Sequence, residues 1–245
     1  MTTPAGGTNG VADIAADIAA KIAANIDAVR ATITAAARRC GRDPNDVRLI
    51  GVSKGFDATT AAAALDAGLT DLGENRAQEL LTKHPEVEAL ATGHDAPAAV
   101  WHFVGRLQRN KVRTLAPVVS WWHSVDRDVL ADEIARRAPK ARVLIQVDLG
   151  GEESKGGCAP AETEALAAHC SAAGLDVRGL MTVPPHGDPA RPYFAALRTM
   201  ADDLGLPECS MGMSEDVGEA VEEGATLVRV GRAIFGRRPG PVGVE

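Results

Sequence analysis

Between Val11 and Ile33, apolar residues return at steps of three and four: Val11, Ile14, Ile18, Ile22, Ile26, Val29 and Ile33. That spacing puts them on one stripe of a helix. Asp13 and Asp17 lie early, Arg38 and Arg39 late, and Gly41 follows as a stop, so the charges complement the helix dipole. A heptad-like stripe this short, about three heptads with Ala filling other positions, predicts a helix packed on its own domain rather than a coiled coil.

From Val47 the pattern alternates short β-like runs with helical stretches. Strands are predicted at 47–53, 70–74, 100–105, 120–125, 141–148, 177–183, 208–212 and 226–231. Helices are predicted at 59–65, 76–81, 108–115, 128–138, 161–172, 189–204 and 215–222, with 91–99 as a loop. Such alternation implies parallel strands, because parallel neighbours need a crossover. Eight units favour an α/β fold, a single (β/α)8 TIM-type barrel with an additional N-terminal helix; a doubly wound open sheet is the alternative. Residues 1–10 are expected to be a flexible start, 11–236 the barrel domain and 237–245 a flexible tail rich in Pro and Gly.

Composition narrows the function. The 245 residues are 45% hydrophobic and 24% charged, ordinary for a globular chain with a sizeable core. Lys plus Arg total 26 against 33 Asp plus Glu, a net charge of −7, so no global positive field recruits nucleic acid or anionic lipid. Cys40, Cys158, Cys170 and Cys209 show no metal or disulfide spacing, and the histidines, including His84, His94, His169 and His186, show none either. No metal is predicted. The start MTTPAGGTNG lacks a basic region and apolar signal core, and a cytoplasmic location is expected.

In a parallel barrel, chemistry sits at the carboxyl ends of the strands. Lys54 closes the first strand, one of only six lysines in the chain. A partly desolvated amine there would have a lowered pKa and form imines with carbonyl compounds; a surface lysine at a strand end is the alternative. Ser210, Gly212 and Ser214 lie where the seventh strand passes toward a helix, and Gly231 follows the eighth. Such junctions bind phosphate through backbone N–H groups and hydroxyls, although Ser214 would equally serve as a helix cap. Arg229 lies on strand eight, next to strand one in a closed barrel. A lysine for an aldehyde, a phosphate cup and an arginine between them suggest pyridoxal 5′-phosphate (PLP). Arginine opposite the pyridine nitrogen would leave that nitrogen unprotonated and the cofactor a weak electron sink.

The segments LIGVSKG, LGENRAQEL, WHFVGRLQRNK, VDLGGEESKGG, VRGLMTVPP, CSMGMSEDVGEAVEEGATLVRVG and AIFG, in that order, resemble the pyridoxal phosphate homeostasis protein family, which is similar to the barrel domain of alanine racemase. The resemblance implies a PLP aldimine on Lys54, Asn75 near the ring, Met181 as a wall, Ser210 and the Gly231 backbone at the phosphate, and Arg229 at the ring nitrogen. It implies reversible holding of PLP for intracellular vitamin B6 homeostasis and delivery, with apo PLP-dependent enzymes as partners, rather than strong catalysis. Arg232 departs from the family pattern, which has a small hydroxyl residue after the glycine of VRVG; its guanidinium either replaces that contact or points to solvent. A single-domain amino-acid racemase and a cofactor-free Schiff-base aldolase are the competing readings. His102, Arg106, Arg109 and Lys111 form a local positive cluster that could bind an anion or partner but reads better as a solvated helix start, and His102, on a strand, is a base or a structural histidine. Trp101, Trp121 and Trp122 are expected between barrel and helices. Lys155 reads as a surface residue that could accept the aldehyde transiently. A monomer is expected, with a weak dimer through the first helix as the alternative.

Overall fold

The computed structural model describes residues 8–92 and 97–238. Eight strands, β1 (Arg48–Val52), β2 (Asp71–Glu74), β3 (Val100–Phe103), β4 (Val119–Val125), β5 (Arg142–Gln146), β6 (Asp176–Met181), β7 (Glu208–Ser210) and β8 (Leu227–Val230), form a closed barrel in sequence order. Every pairing is parallel, and β8 closes on β1 with Ile50 opposite Arg229. Closure removes both sheet edges and rules out the open doubly wound sheet.

The α-helices among the described residues are α1 (Thr8–Arg39), α2 (Ala58–Asp66), α3 (Ala77–Thr92), α4 (Val112–Leu115), α5 (Asp128–Arg137), α6 (Thr163–Ala172), α7 (Arg191–Asp203), α8 (Val217–Glu222) and α9 (Arg232–Phe235). The outer core lies between strands and helices, where Trp101, Phe103, Trp122 and Phe194 are buried. A separate inner cluster of Ile50, Trp121, Leu144, Met181 and Leu227 fills the barrel itself. Trp121 is therefore inside the barrel, unlike its two neighbours in kind. Strand alternation sends adjacent Trp121 and Trp122 to opposite faces of the sheet, and Arg48 and Arg142 lie over the Trp121 ring at 5.2 and 5.5 Å.

The stripe on α1 packs on its own barrel, against α2, α8 and α9, with Ile22, Ile26, Val29 and Ile33 buried. Polar anchors fix the seat: Asn25 Nδ2 donates to Ile234 O (2.8 Å), Arg42 to Val221 O (2.6 Å) and Ala225 O (2.8 Å), and Arg39 pairs with Glu222. Helix α3 runs far beyond the expected end at Leu81. It continues through Pro85, whose missing N–H would ordinarily cost helix stability; burial of Leu80, Lys83, Val87 and Ala91 holds it in place. The expected helix at 108–115 is instead a 3₁₀ turn, Arg109–Lys111, followed by the single turn α4. The expected loop at 91–99 and the tail fall partly outside the described residues, as does His94.

Candidate functional site

Lys54 follows Ser53 directly at the carboxyl end of β1 and is half-buried. Burial, and then Arg238, push its pKa below the usual lysine value; Arg229 and Arg76 act the same way, while Glu74 opposes them. The turn that presents it needs Gly55 at φ +79°, where a Cβ would meet the Arg238 side chain at 2.8 Å. Beneath the turn, Lys83 Nζ donates to Ser53 O (2.8 Å) and pairs with Glu74 and with Glu79 (3.0 Å), while Ser53 Oγ donates to Glu74 Oε1 (2.8 Å). Gly55 N–H donates to Glu79. Two buried opposite charges thus tie β1, β2 and α3 together under Lys54.

Asn75 follows β2 and carries a buried Oδ1 with no hydrogen-bond partner. Its backbone lies so close to Gly105 that a Cβ there would stand 2.1 Å from Asn75 O. Arg229, on β8, is buried; Nη1 donates to Ser210 Oγ (2.5 Å) and Nη2 to Thr182 O (2.8 Å). Burial lowers the Arg229 pKa to about 10, which still leaves it cationic at neutral pH. Met181 lies in the inner cluster and pairs with Ser210 across β6 and β7. Ser210 is fully buried, and its hydroxyl faces Arg229 and His123 inside the barrel. Ser214 stands at the rim, where its Oγ accepts from Ala233 N (3.2 Å) and joins the loop after β7 to the start of α9. The first N–H groups of α9 lack intrahelical acceptors. Gly231 caps that turn with its Cβ position 3.1 Å from Val52 O, and exposed Arg232 pairs with Glu215.

The alanine racemase N-terminal domain family matches residues 24–239. A pyridoxal phosphate homeostasis protein of Pseudomonas aeruginosa is 44% identical over 220 residues, covering 86% of this chain and 93% of the relative. The chain belongs to the pyridoxal phosphate homeostasis protein family. The Escherichia coli K12 member is 39% identical over 226 residues, covering 86% of this chain and 94% of its own length. Among solved structures, PipY of Synechococcus elongatus with PLP bound superposes with a TM-score of 0.76 at 35% identity, covering 88% of this chain and all of PipY.

In this member of the pyridoxal phosphate homeostasis protein family, a groove of about 880 Å³ opens beside Asn75, lined by Arg76, Arg106, Lys111, Asp126 and Arg127. Lys155 is half-buried, donates to Pro184 O (2.8 Å) and pairs with Glu152 (2.6 Å), so it is less free than an unpaired surface lysine. Residues the sequence reading left without a role build much of the site's support: Glu74, Glu79 and Lys83 under Lys54, and His123 inside the barrel beside His102, whose buried ring bonds both His123 and Asp71. The segment LGENRAQEL carried a signal for the first group, since Glu74 and Glu79 flank Asn75 in it.

Both histidines are fully buried, and burial pushes both pKa values down, His123 furthest. A folded-state pKa below the unfolded value of about 6.5 means that the unfolded chain takes up protons first as pH falls. Folding stability is therefore expected to decline below pH about 6.5, with a slope approaching about 1.4 kcal/mol per pH unit for each ring. Urea unfolding across the acid limb checks this, and replacing one histidine should remove half of that slope.

Proposed function

We propose that this chain holds PLP through a reversible covalent link to Lys54 and serves vitamin B6 homeostasis by storing and delivering the cofactor, without strong catalysis of its own. The observation that carries the reading is Lys54: a half-buried amine with a depressed pKa at the carboxyl mouth of the barrel, in a relative of PipY, whose structure was solved with PLP bound. The residues around it fit the group. The unpartnered Asn75 Oδ1 awaits a donor, and Arg229, Arg76 and Arg238 form a positive field around Lys54 suited to a phosphate dianion. When bound, PLP supplies an aldehyde that condenses reversibly with a primary amine.

Lys54 would anchor the cofactor and Asn75 would sit near the ring. Arg229, with two of its five donors already engaged, would give another to the ring nitrogen. Met181 would wall the pocket from the barrel interior. Ser214 and the N–H groups of Gly231 and Arg232 would hold phosphate at the rim. Arg232 would help with its backbone, since Glu215 engages its guanidinium. Ser210 would act from below, accepting from Arg229 while its hydroxyl faces His123.

Two features favour holding over turnover. Arg229 donates and does not accept, so the ring nitrogen would remain unprotonated and carbanion chemistry weak. The single tyrosine, Tyr193 in the first turn of α7, already donates its hydroxyl proton to Asp188 (2.8 Å) and so is not a free second proton donor. The chain would work in the cytoplasm as a monomer and pass PLP to apoenzymes; its unpaired cysteines suit a reducing compartment.

The test is an absorbance spectrum of the purified chain with PLP, then borohydride reduction and peptide mass mapping. Pyridoxyl on Lys54 with no measurable α-proton exchange from amino acids is the expected result. A chain that stays colourless and unlabelled overturns the cofactor reading; rapid α-proton exchange overturns the carrier reading.

A further inference from the structure

A buried cation is costly unless a counter-charge or a full set of acceptors reaches it. Among the described residues, no carboxylate hydrogen-bonds the Arg229 guanidinium: its acceptors are a hydroxyl and a carbonyl, and Asp216 favours its charge only through space. The hydroxyl leads elsewhere. Ser210 Oγ lies 2.9 Å from His123 Nδ1, His123 Nε2 lies 2.9 Å from His102 Nδ1, and His102 Nε2 lies 2.9 Å from Asp71 Oδ1. These groups sit on β8, β7, β4, β3 and β2, so the line crosses the barrel from the far wall. Asp71 opens β2 and Ser210 closes β7. The line therefore runs from the amino-terminal end of the barrel to the mouth.

The chemistry of its two ends fixes where each proton sits. Arginine only donates, so Ser210 Oγ accepts from Arg229. An ionised carboxylate only accepts, so His102 donates from Nε2 to Asp71. A neutral His102 then accepts at Nδ1, His123 donates from Nε2, and His123 accepts at Nδ1 from the Ser210 hydroxyl. Every donor meets one acceptor and both rings are neutral, as full burial demands. The His102 ring is held flat on Trp121, with centroids 5.8 Å apart and planes 6° from parallel.

We propose that Asp71, His102, His123 and Ser210 are positioning residues for Arg229, a one-way hydrogen-bond chain that brings the Asp71 charge to the guanidinium and aims its free donors at the barrel mouth. The consequence for PLP rests on the function proposed above. The proton pattern does not, and can be measured on the chain without PLP.

Nitrogen-15 NMR of the full chain labelled at histidine is the first test. Two rings should be neutral, with Nε2 protonated and Nδ1 bare, and should stay so below the ordinary histidine pKa of about 6.5. A proton on Nδ1 of either ring, or an imidazolium, overturns the chain. The second test is PLP titration. His123→Leu should bind PLP on the order of tenfold more weakly while borohydride still labels Lys54. His102→Gln, which keeps one donor and one acceptor, should stay within about threefold of wild type. A His123→Leu variant that loses thermal stability but binds PLP like wild type overturns the positioning role. The failures are distinguishable: a wild-type chain that does not bind PLP sinks the site and the positioning role together, whereas wrong tautomers with normal binding sink the chain alone.

Discussion

Replacing Lys54 with alanine is expected to give a folded protein that stays colourless with PLP and binds it on the order of 100-fold more weakly. The fold should survive, because Lys54 is half-buried and Arg238, Arg229 and Arg76 all disfavour its charge. What disappears is the covalent anchor, while phosphate and ring contacts remain. Lys54→Arg separates charge from nucleophilicity: it keeps the cation and forms no stable imine, so it should also stay colourless. Absorbance titration, borohydride labelling and thermal melts of both variants check this. Stoichiometric pyridoxyl on another lysine of Lys54→Ala, whether Lys83 or Lys155, would sink the anchor assignment.

The largest expected loss of stability comes from Lys83→Met. Lys83 is 4% exposed and is the ion-pair partner of fully buried Glu74. Removing one member of such a pair leaves an uncompensated buried charge and typically costs about 3–5 kcal/mol. Burial already raises the Glu74 pKa against the pull of Lys83, so without that pull it should rise further. A carboxyl whose folded pKa exceeds its unfolded value loses stability as pH rises above the unfolded pKa. The deficit of Lys83→Met relative to wild type should therefore shrink in acid, and Glu74→Gln in the same chain should recover part of it at neutral pH. Denaturant unfolding of the three proteins at two pH values measures both effects. Ser53 O loses a donor as well, so the turn carrying Lys54 should loosen in the single variant.

The barrel was legible because each strand run is short, apolar and followed by a helical stretch, and that alternation leaves few topologies. Strand ends were read to within a few residues. Helix α3 was cut short because Pro85 is a local stop signal, whereas what carries the helix past it is burial of Lys83, Val87 and Ala91 against the rest of the fold. Lys54 and Arg229 could be singled out because a strand end and cyclic closure bring them together, whereas Asn75 came only from the family resemblance. The partnerships of His102 and His123 could not. His123 meets Ser210 across 87 residues, and that contact exists only because the closed sheet folds β4 toward β7. Trp121 was placed outside for the same reason: two adjacent tryptophans look alike until the pleat decides which one faces inward.

The first helix has a consequence for how the molecule is made. Its buried stripe seats on α2, α8 and α9, and Asn25 is tied to Ile234, 209 residues later. During synthesis the helix leaves the ribosome before most of that seat exists. Ile22, Ile26, Val29 and Ile33 must wait, unshielded or transiently covered, until α8 and α9 have emerged. Docking of α1 thus joins the first helix to α8 and α9, and a nascent chain stalled before α8 would present an apolar ridge to whatever holds unfinished proteins.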